Sequence, residues 1–181
     1  MKKIKIVGIT GSLRQASYNK ASLLAIKKLF ENKIDFEILN LEAIPFFNEE
    51  MESGNIPDSV VDMNNKFKEA DGIIIATPEY NFSYAPALKN ALDWASRNND
   101  YPLSGKPTAI YSCSMSLLGG VRAQYHLRQV AVALNMDVIN KPEVCVMSCH
   151  KKFDGNLNLI DEQTIEMLKK LVETLIQKIE G

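Results

Sequence analysis

The sequence has almost no charge imbalance: 21 lysines and arginines stand against 22 aspartates and glutamates, a formal net charge of −1. Steering toward nucleic acid or an anionic membrane needs an excess of positive charge, so neither partner is expected. Small molecules and copies of the same chain remain. There are only three cysteines and two histidines. Cys145 and Cys149 lack the Cys-x-x-Cys spacing of a redox pair, and His126 and His150 complete no cluster with zinc spacing. The cysteines therefore read as structural, and no metal is expected. An odd cysteine count and an N-terminus without the longer apolar run of a secretory signal fit a reducing, cytoplasmic setting. No run approaches the roughly 18 apolar residues of a membrane span. Two phosphate-binding fingerprints are missing as well, G-x-G-x-x-G and G-x-x-x-x-G-K-[ST], which disfavours a pyrophosphate site.

What is present is an alternation. Short apolar runs at 4–10, 36–41, 72–77, 108–113 and, less clearly, 144–148 read as strands. Between them lie helical patterns at about 17–31, 57–70, 86–97, 120–135 and 161–179, two of them opened by Pro57 and Pro86, whose fixed φ suits a first turn. The stretch "NEEMESGNIPD" (48–58) reads as a connecting loop. Strands too uniformly apolar to have a wet face, alternating with helices, predict an α/β domain: a doubly wound, five-stranded parallel sheet in three layers, one domain over residues 1–181. In such sheets ligands sit beyond the carboxyl ends of the strands at the topological switch point.

Three loops leave those ends. The first, "GSLRQASYN" (11–19), runs from strand into helix, where free backbone N–H groups and the helix dipole favour an anion. Gly11 permits a tight exit, Ser12 and Ser17 offer hydroxyls, Asn19 an amide, and Arg14 a guanidinium that meets phosphate through paired hydrogen bonds. A phosphomonoester suits that set. The plainer alternative is that Ser17 only caps the helix and Arg14 is solvated. The second loop, opening "TPEYNFSYAPALKNALDWAS" (77–96), places Pro78, Glu79, Tyr80 and Asn81 on the same edge, a turn able to flank a planar heterocycle or merely a proline turn. The third, "YSCSMSLLGG" (111–120), clusters hydroxyls and closes with Gly119 and Gly120, which allow close backbone approach or belong to an ordinary loop.

These segments, with "GGVRAQYHLRQV" and "FDGNLNLIDE", give a chain that resembles the NADPH-dependent FMN reductase family, which includes quinone, azo-dye and chromate reductases. The resemblance implies a flavodoxin-like fold of strand order 2-1-3-4-5. It implies that Ser12, Arg14, Ser17 and Asn19 hold the FMN phosphate, that Pro78, Glu79, Tyr80 and Asn81 border the isoalloxazine, and that Ser112 and Ser114 lie near it. No side chain is assigned as a catalytic acid or base. This chain departs from the family at Ala85 and Pro86, where Pro and Gly are common, and at Met115 and Ser116, where Pro and Gly are again common. The second departure adds bulk on the substrate side of the ring.

With FMN bound, NADPH or NADH would deliver hydride to flavin N5 and leave. A quinone, azo, nitro, chromate or free-flavin acceptor would then take two electrons from the same open face, a ping-pong cycle, with backbone donors of residues 78–81 near the N5 and O4 edge. The alternative is a flavodoxin-type electron carrier with no substrate turnover, against which the near-zero net charge argues, because carriers dock by charge. The family also implies a homodimer, with pairing into tetramers left open. Arg122, Tyr125 and His126 share a face of the fourth long helix and are the expected interface. Size-exclusion chromatography with light scattering should return twice the chain mass for the wild type and a smaller mass for Arg122→Ala; a wild-type monomer sinks the interface.

Overall fold

Every one of the six residues of β3 (Gly72–Thr77) is buried, so neither face of this strand meets water and both must be covered. The computed structural model describes residues 3–181 and shows the cover on each side. The strands are β1 (Ile4–Thr10), β2 (Ile34–Ile38), β3, β4 (Pro107–Cys113), β5 (Asp137–Val138) and β6 (Val144–Val146). All pairings are parallel, in the order β2-β1-β3-β4-β5, with β6 also on β4. The helices are α1 (Tyr18–Leu29), α2 (Glu49–Ser53), α3 (Asp58–Glu69), α4 (Pro86–Ser96), α5 (Val121–Ala133) and α6 (Glu162–Glu180).

Alternation along the strands sorts the core into two layers. Ile6, Ile74, Ala109 and Tyr111 pack with Leu23 and Ile26 of α1 and with Leu168, Leu171 and Leu175 of α6. On the opposite face Val7, Ile9, Ile73, Ile75 and Ile110 pack with Val60 and Phe67 of α3, Leu88 and Leu92 of α4, and Leu127 of α5. Full burial of one such side chain is worth about 1.5–3 kcal/mol, so these stripes outweigh local propensity. The expected flavodoxin-like architecture and strand order are present.

Three boundaries differ from the sequence-based expectation. The second strand lies at 34–38 rather than 36–41, because Ile34 and Phe36 supply the inward alternation while Leu39 and Leu41 turn to the other core layer. The fifth strand is divided. β5 pairs with the start of β4 (Thr108 opposite Val138) and β6 with its end (Ser112 opposite Cys145); after the Ile139 N–H donates to the Thr108 carbonyl, residues 140–143, which include Pro142 with no N–H to give, leave the ladder between them. Residues 49–53 form a short helix where a loop is expected. Asn48 Oδ1 accepts from the Glu50 N–H at 2.8 Å, and Glu49, Glu50 and Glu52 place negative charge in the first turn, although no residue of this helix is buried.

The long C-terminal helix α6 is started by one carboxylate. Asp161 Oδ1 accepts from the Thr164 N–H at 2.9 Å and from Lys152 Nζ at 2.7 Å, and also takes the Thr164 hydroxyl. The Lys152 ammonium first, then Thr164, holds the Asp161 pKa down to about 2 from 3.8. A folded-state pKa below the unfolded one means stabilisation that is complete above about pH 4 and lost as pH falls through about 2. Asp161→Ala should therefore cost about 1 kcal/mol at pH 7, the usual worth of an N-cap. Urea melts of both proteins should converge as the pH is lowered to about 2.

Candidate active site

The carboxyl ends of β1, β3 and β4 lie side by side, and the loops that follow them enclose a cleft of about 250 Å³. From the first loop come Ser12, Arg14, Ser17, Tyr18 and Asn19; from the second, Pro78, Glu79 and Tyr80; from the third, Cys113, Ser114 and Met115, with Cys149 completing the wall. A larger hollow, about 640 Å³, runs along the edge strand β2 and shares Ser12 and Arg14 with the cleft. It mixes Lys20 and Lys27 with Asp35, Glu37 and Glu42, a lining of cancelling charge away from the switch point between β1 and β3. The smaller cleft is therefore the site.

Its first wall is shaped by an absence. A Cβ at Gly11 would stand 2.6 Å from the Cβ of Ala85 and 2.9 Å from that of Leu88, so only glycine lets the loop pass under the start of α4. Ser17 is the N-cap of α1 and its Oγ accepts from the Lys20 N–H at 3.2 Å. The capping role is thus real, and it leaves the hydroxyl proton free to be donated into the cleft. The Arg14 Nε donates to the Ala16 carbonyl at 2.9 Å, and its guanidinium carbon stands 5.4 Å from the Tyr18 ring centroid. The side chain is folded over its own loop. No acidic residue occupies the first turn of α1, so the helix N-terminus keeps its positive field.

Asn19 has a different occupation from the one its loop suggested. Its Nδ2 donates to the Cys113 carbonyl and its Oδ1 accepts from the Cys113 N–H, both at 3.0 Å and both buried. The amide pins the first loop to the end of β4 while still bordering the cleft.

The second wall is tied to α5. Gly120 caps that helix with φ of 90° and offers no side chain, and Glu79 Oε2 accepts the Ala123 N–H at 3.2 Å in its stead. A Cβ at Gly120 would lie 2.8 Å from the Cβ of Ser112. Of the backbone donors expected from residues 78–81, Pro78 has none and the Tyr80 N–H goes to the Ser83 carbonyl at 2.8 Å. The N–H groups of Glu79 and Asn81 have no acceptor among the described residues.

Two expected site residues lie elsewhere. Ser112 is fully buried behind the third loop, donating to the Gly119 carbonyl at 2.6 Å and accepting from Gln124 Nε2 at 2.8 Å, so it fixes the loop rather than facing the cleft. Asn81 is exposed in a turn with φ of 49°, outside the lining. Tyr18, Cys113 and Cys149 line the cleft without having been singled out. Burial raises the Cys113 pKa to about 12 and the Cys149 pKa to about 11, which disfavours the thiolate form of both. Only the position of Cys149 just beyond β6 could have flagged it, and that needs the strand pairing.

The residues suit FMN. A cationic, hydroxyl-bearing helix start fits a phosphate, and the Pro78–Tyr80 turn facing Ser114 and Met115 fits a flat ring system with a polar edge. Comparison with known proteins agrees. Residues 4–151 match the family model described as NADPH-dependent FMN reductase. An NAD(P)H-dependent FMN reductase of Pseudomonas aeruginosa is 41% identical over 172 residues, covering 95% of this chain and 93% of that protein. A quinone reductase of Escherichia coli K12 is 37% identical over 169 residues, covering 92% and 90%. The solved structure of FerB, a flavoenzyme NAD(P)H:(acceptor) oxidoreductase from Paracoccus denitrificans, superposes with a TM-score of 0.89 at 28% identity, covering 98% and 97%. The chain belongs to the NADPH-dependent FMN reductase family, flavodoxin-like oxidoreductases that work with FMN and NAD(P)H.

Proposed function

We propose that this protein passes two electrons from NADPH or NADH to a quinone-type acceptor in a ping-pong cycle, as a homodimer. FMN, when bound, supplies the hydride-accepting and electron-donating centre. The observation that carries the reading is the convergence of Ser12, Arg14 and Ser17 with Pro78, Glu79, Tyr80 and Ser114 in one cleft at the sheet's switch point. Ser12, Ser17 and the α1 N-terminus bind the phosphate, and Arg14 swings from Ala16 to neutralise it. The free N–H group of Glu79 donates to the polar edge of the ring and stabilises negative charge there, which makes electron uptake more favourable.

Quinones as acceptors are supported by the names of the relatives, which include quinone reductases and a 2-hydroxy-1,4-benzoquinone reductase at 34% identity. Met115, 58% exposed on the cleft rim, gives a flat apolar substrate a polarizable contact. The small size of the cleft, about 250 Å³, supports the ping-pong order, in which the donor departs before the acceptor enters. Homodimerisation is supported by Tyr125, which leaves α5 half-exposed.

Anaerobic absorbance of the FMN-reconstituted protein tests the activity. NADPH should bleach the oxidised flavin bands and a quinone should restore them; bound flavin that NADPH cannot bleach would reject the reductase reading. Arg14→Ala should weaken FMN binding by about ten- to a hundredfold, the worth of a charge-assisted pair of hydrogen bonds. Titration of the flavin-free variant reads that constant, and unchanged affinity would remove Arg14 from the phosphate site.

A further inference from the structure

The turn that ends the second wall is held in a conformation its residues do not favour. Asn81 and Phe82 both have left-handed backbones, with φ of 49° and 66°. Asparagine tolerates that region, whereas a bulky side chain does so only under restraint. The two hydrogen bonds that close the turn, Tyr80 N–H to the Ser83 carbonyl at 2.8 Å and Ser83 N–H to the Tyr80 carbonyl at 3.0 Å, are those of any two-residue hairpin. Such hairpins normally place glycine at the second central position. Something else must hold Phe82.

The start of α5 supplies it. The Arg122 guanidinium carbon lies 4.2 Å from the Phe82 ring centroid. One turn further along the same face, His126 Nδ1 stands 3.1 Å from Ser83 Oγ. Between them Ala123 donates to Glu79. Three contacts from one helix thus grip both ends and the middle of residues 79–83.

We propose that Arg122 is a positioning residue for the cleft. Its cation, stacked on Phe82, latches the turn in its left-handed form and so keeps Tyr80 and the free N–H group of Glu79 against the place of the flavin ring. This rests on the reading of the cleft given above, so the test includes a measurement that needs no flavin.

Amide hydrogen exchange in the flavin-free protein, followed by NMR at Tyr80 and Ser83, reads opening of the turn. Arg122→Ala should speed both amides by about two- to fivefold, the factor an exposed cation–π contact supplies. Arg122→Lys, which keeps the cation, should restore most of the protection. Phe82→Leu should speed exchange similarly, and adding Arg122→Ala to it should change nothing more. The FMN dissociation constant of each single alanine or leucine variant, read by flavin fluorescence, should weaken by about the same factor. Light scattering on every variant separates a change of assembly from a change in the turn. Unchanged exchange in Arg122→Ala, or effects that multiply in the double variant, overturns the latch. Faster exchange with an unchanged dissociation constant overturns the positioning role and makes Arg122 merely structural. A wild-type chain that binds no FMN overturns the cofactor reading, and the positioning role with it, while the exchange result still judges the latch.

Discussion

The cleft depends on one buried amide. Asn19 answers both the N–H and the carbonyl of Cys113, and in doing so joins the start of α1 to the end of β4 across β1 and β3. A side-chain amide carries a donor and an acceptor side by side, so it can satisfy the N–H and the carbonyl of one residue together, in the manner of a strand neighbour. Were it absent, two backbone groups would lie buried without partners, at roughly 1–3 kcal/mol each. The loops would then lose their common reference. Everything else in the site is arranged around that join: Ser17 starts the helix two residues earlier, and Cys113 and Ser114 form the opposite wall.

Around it the loops brace one another rather than stand alone. Glu79 caps α5 across a gap in sequence, Gln124 of α5 reaches Ser112 and the Val144 carbonyl, and the Ser114 N–H meets the Val146 carbonyl. Each loop thus uses polar groups of another to end a helix or strand. Two glycines make the packing possible, Gly11 beneath Ala85 and Gly120 beside Ser112, because a methyl group at either place would collide with its neighbour. The site is buried where it meets the sheet and exposed at its rim, where Met115 stands in solvent.

Much of this was legible beforehand. The apolar runs and helical stripes carried the layer order, since burial on two faces leaves a signal in every residue of β3. The three loops were legible because glycines, hydroxyls and one arginine gathered where strands end. What stayed hidden was direction. Ser112 looks like a loop hydroxyl, yet it is the penultimate residue of β4, and strand alternation sends it toward α5 while Tyr111 and Cys113 face α1. Asn19 shows an amide but not its target, 94 residues away. The broken edge strand was read as its second half alone, because two residues of β5 carry no period.

Two thiols border a cleft whose family handles electrons. Oxidative damage to cysteine proceeds through the thiolate. Burial pushes the Cys149 thiol up to about 11 and the Cys113 thiol up to about 12, so both stay protonated at pH 7. The low-dielectric packing that seats these residues against the sheet therefore also makes them slow to oxidise. The thioether of Met115, exposed on the rim of the same cleft, has no such cover.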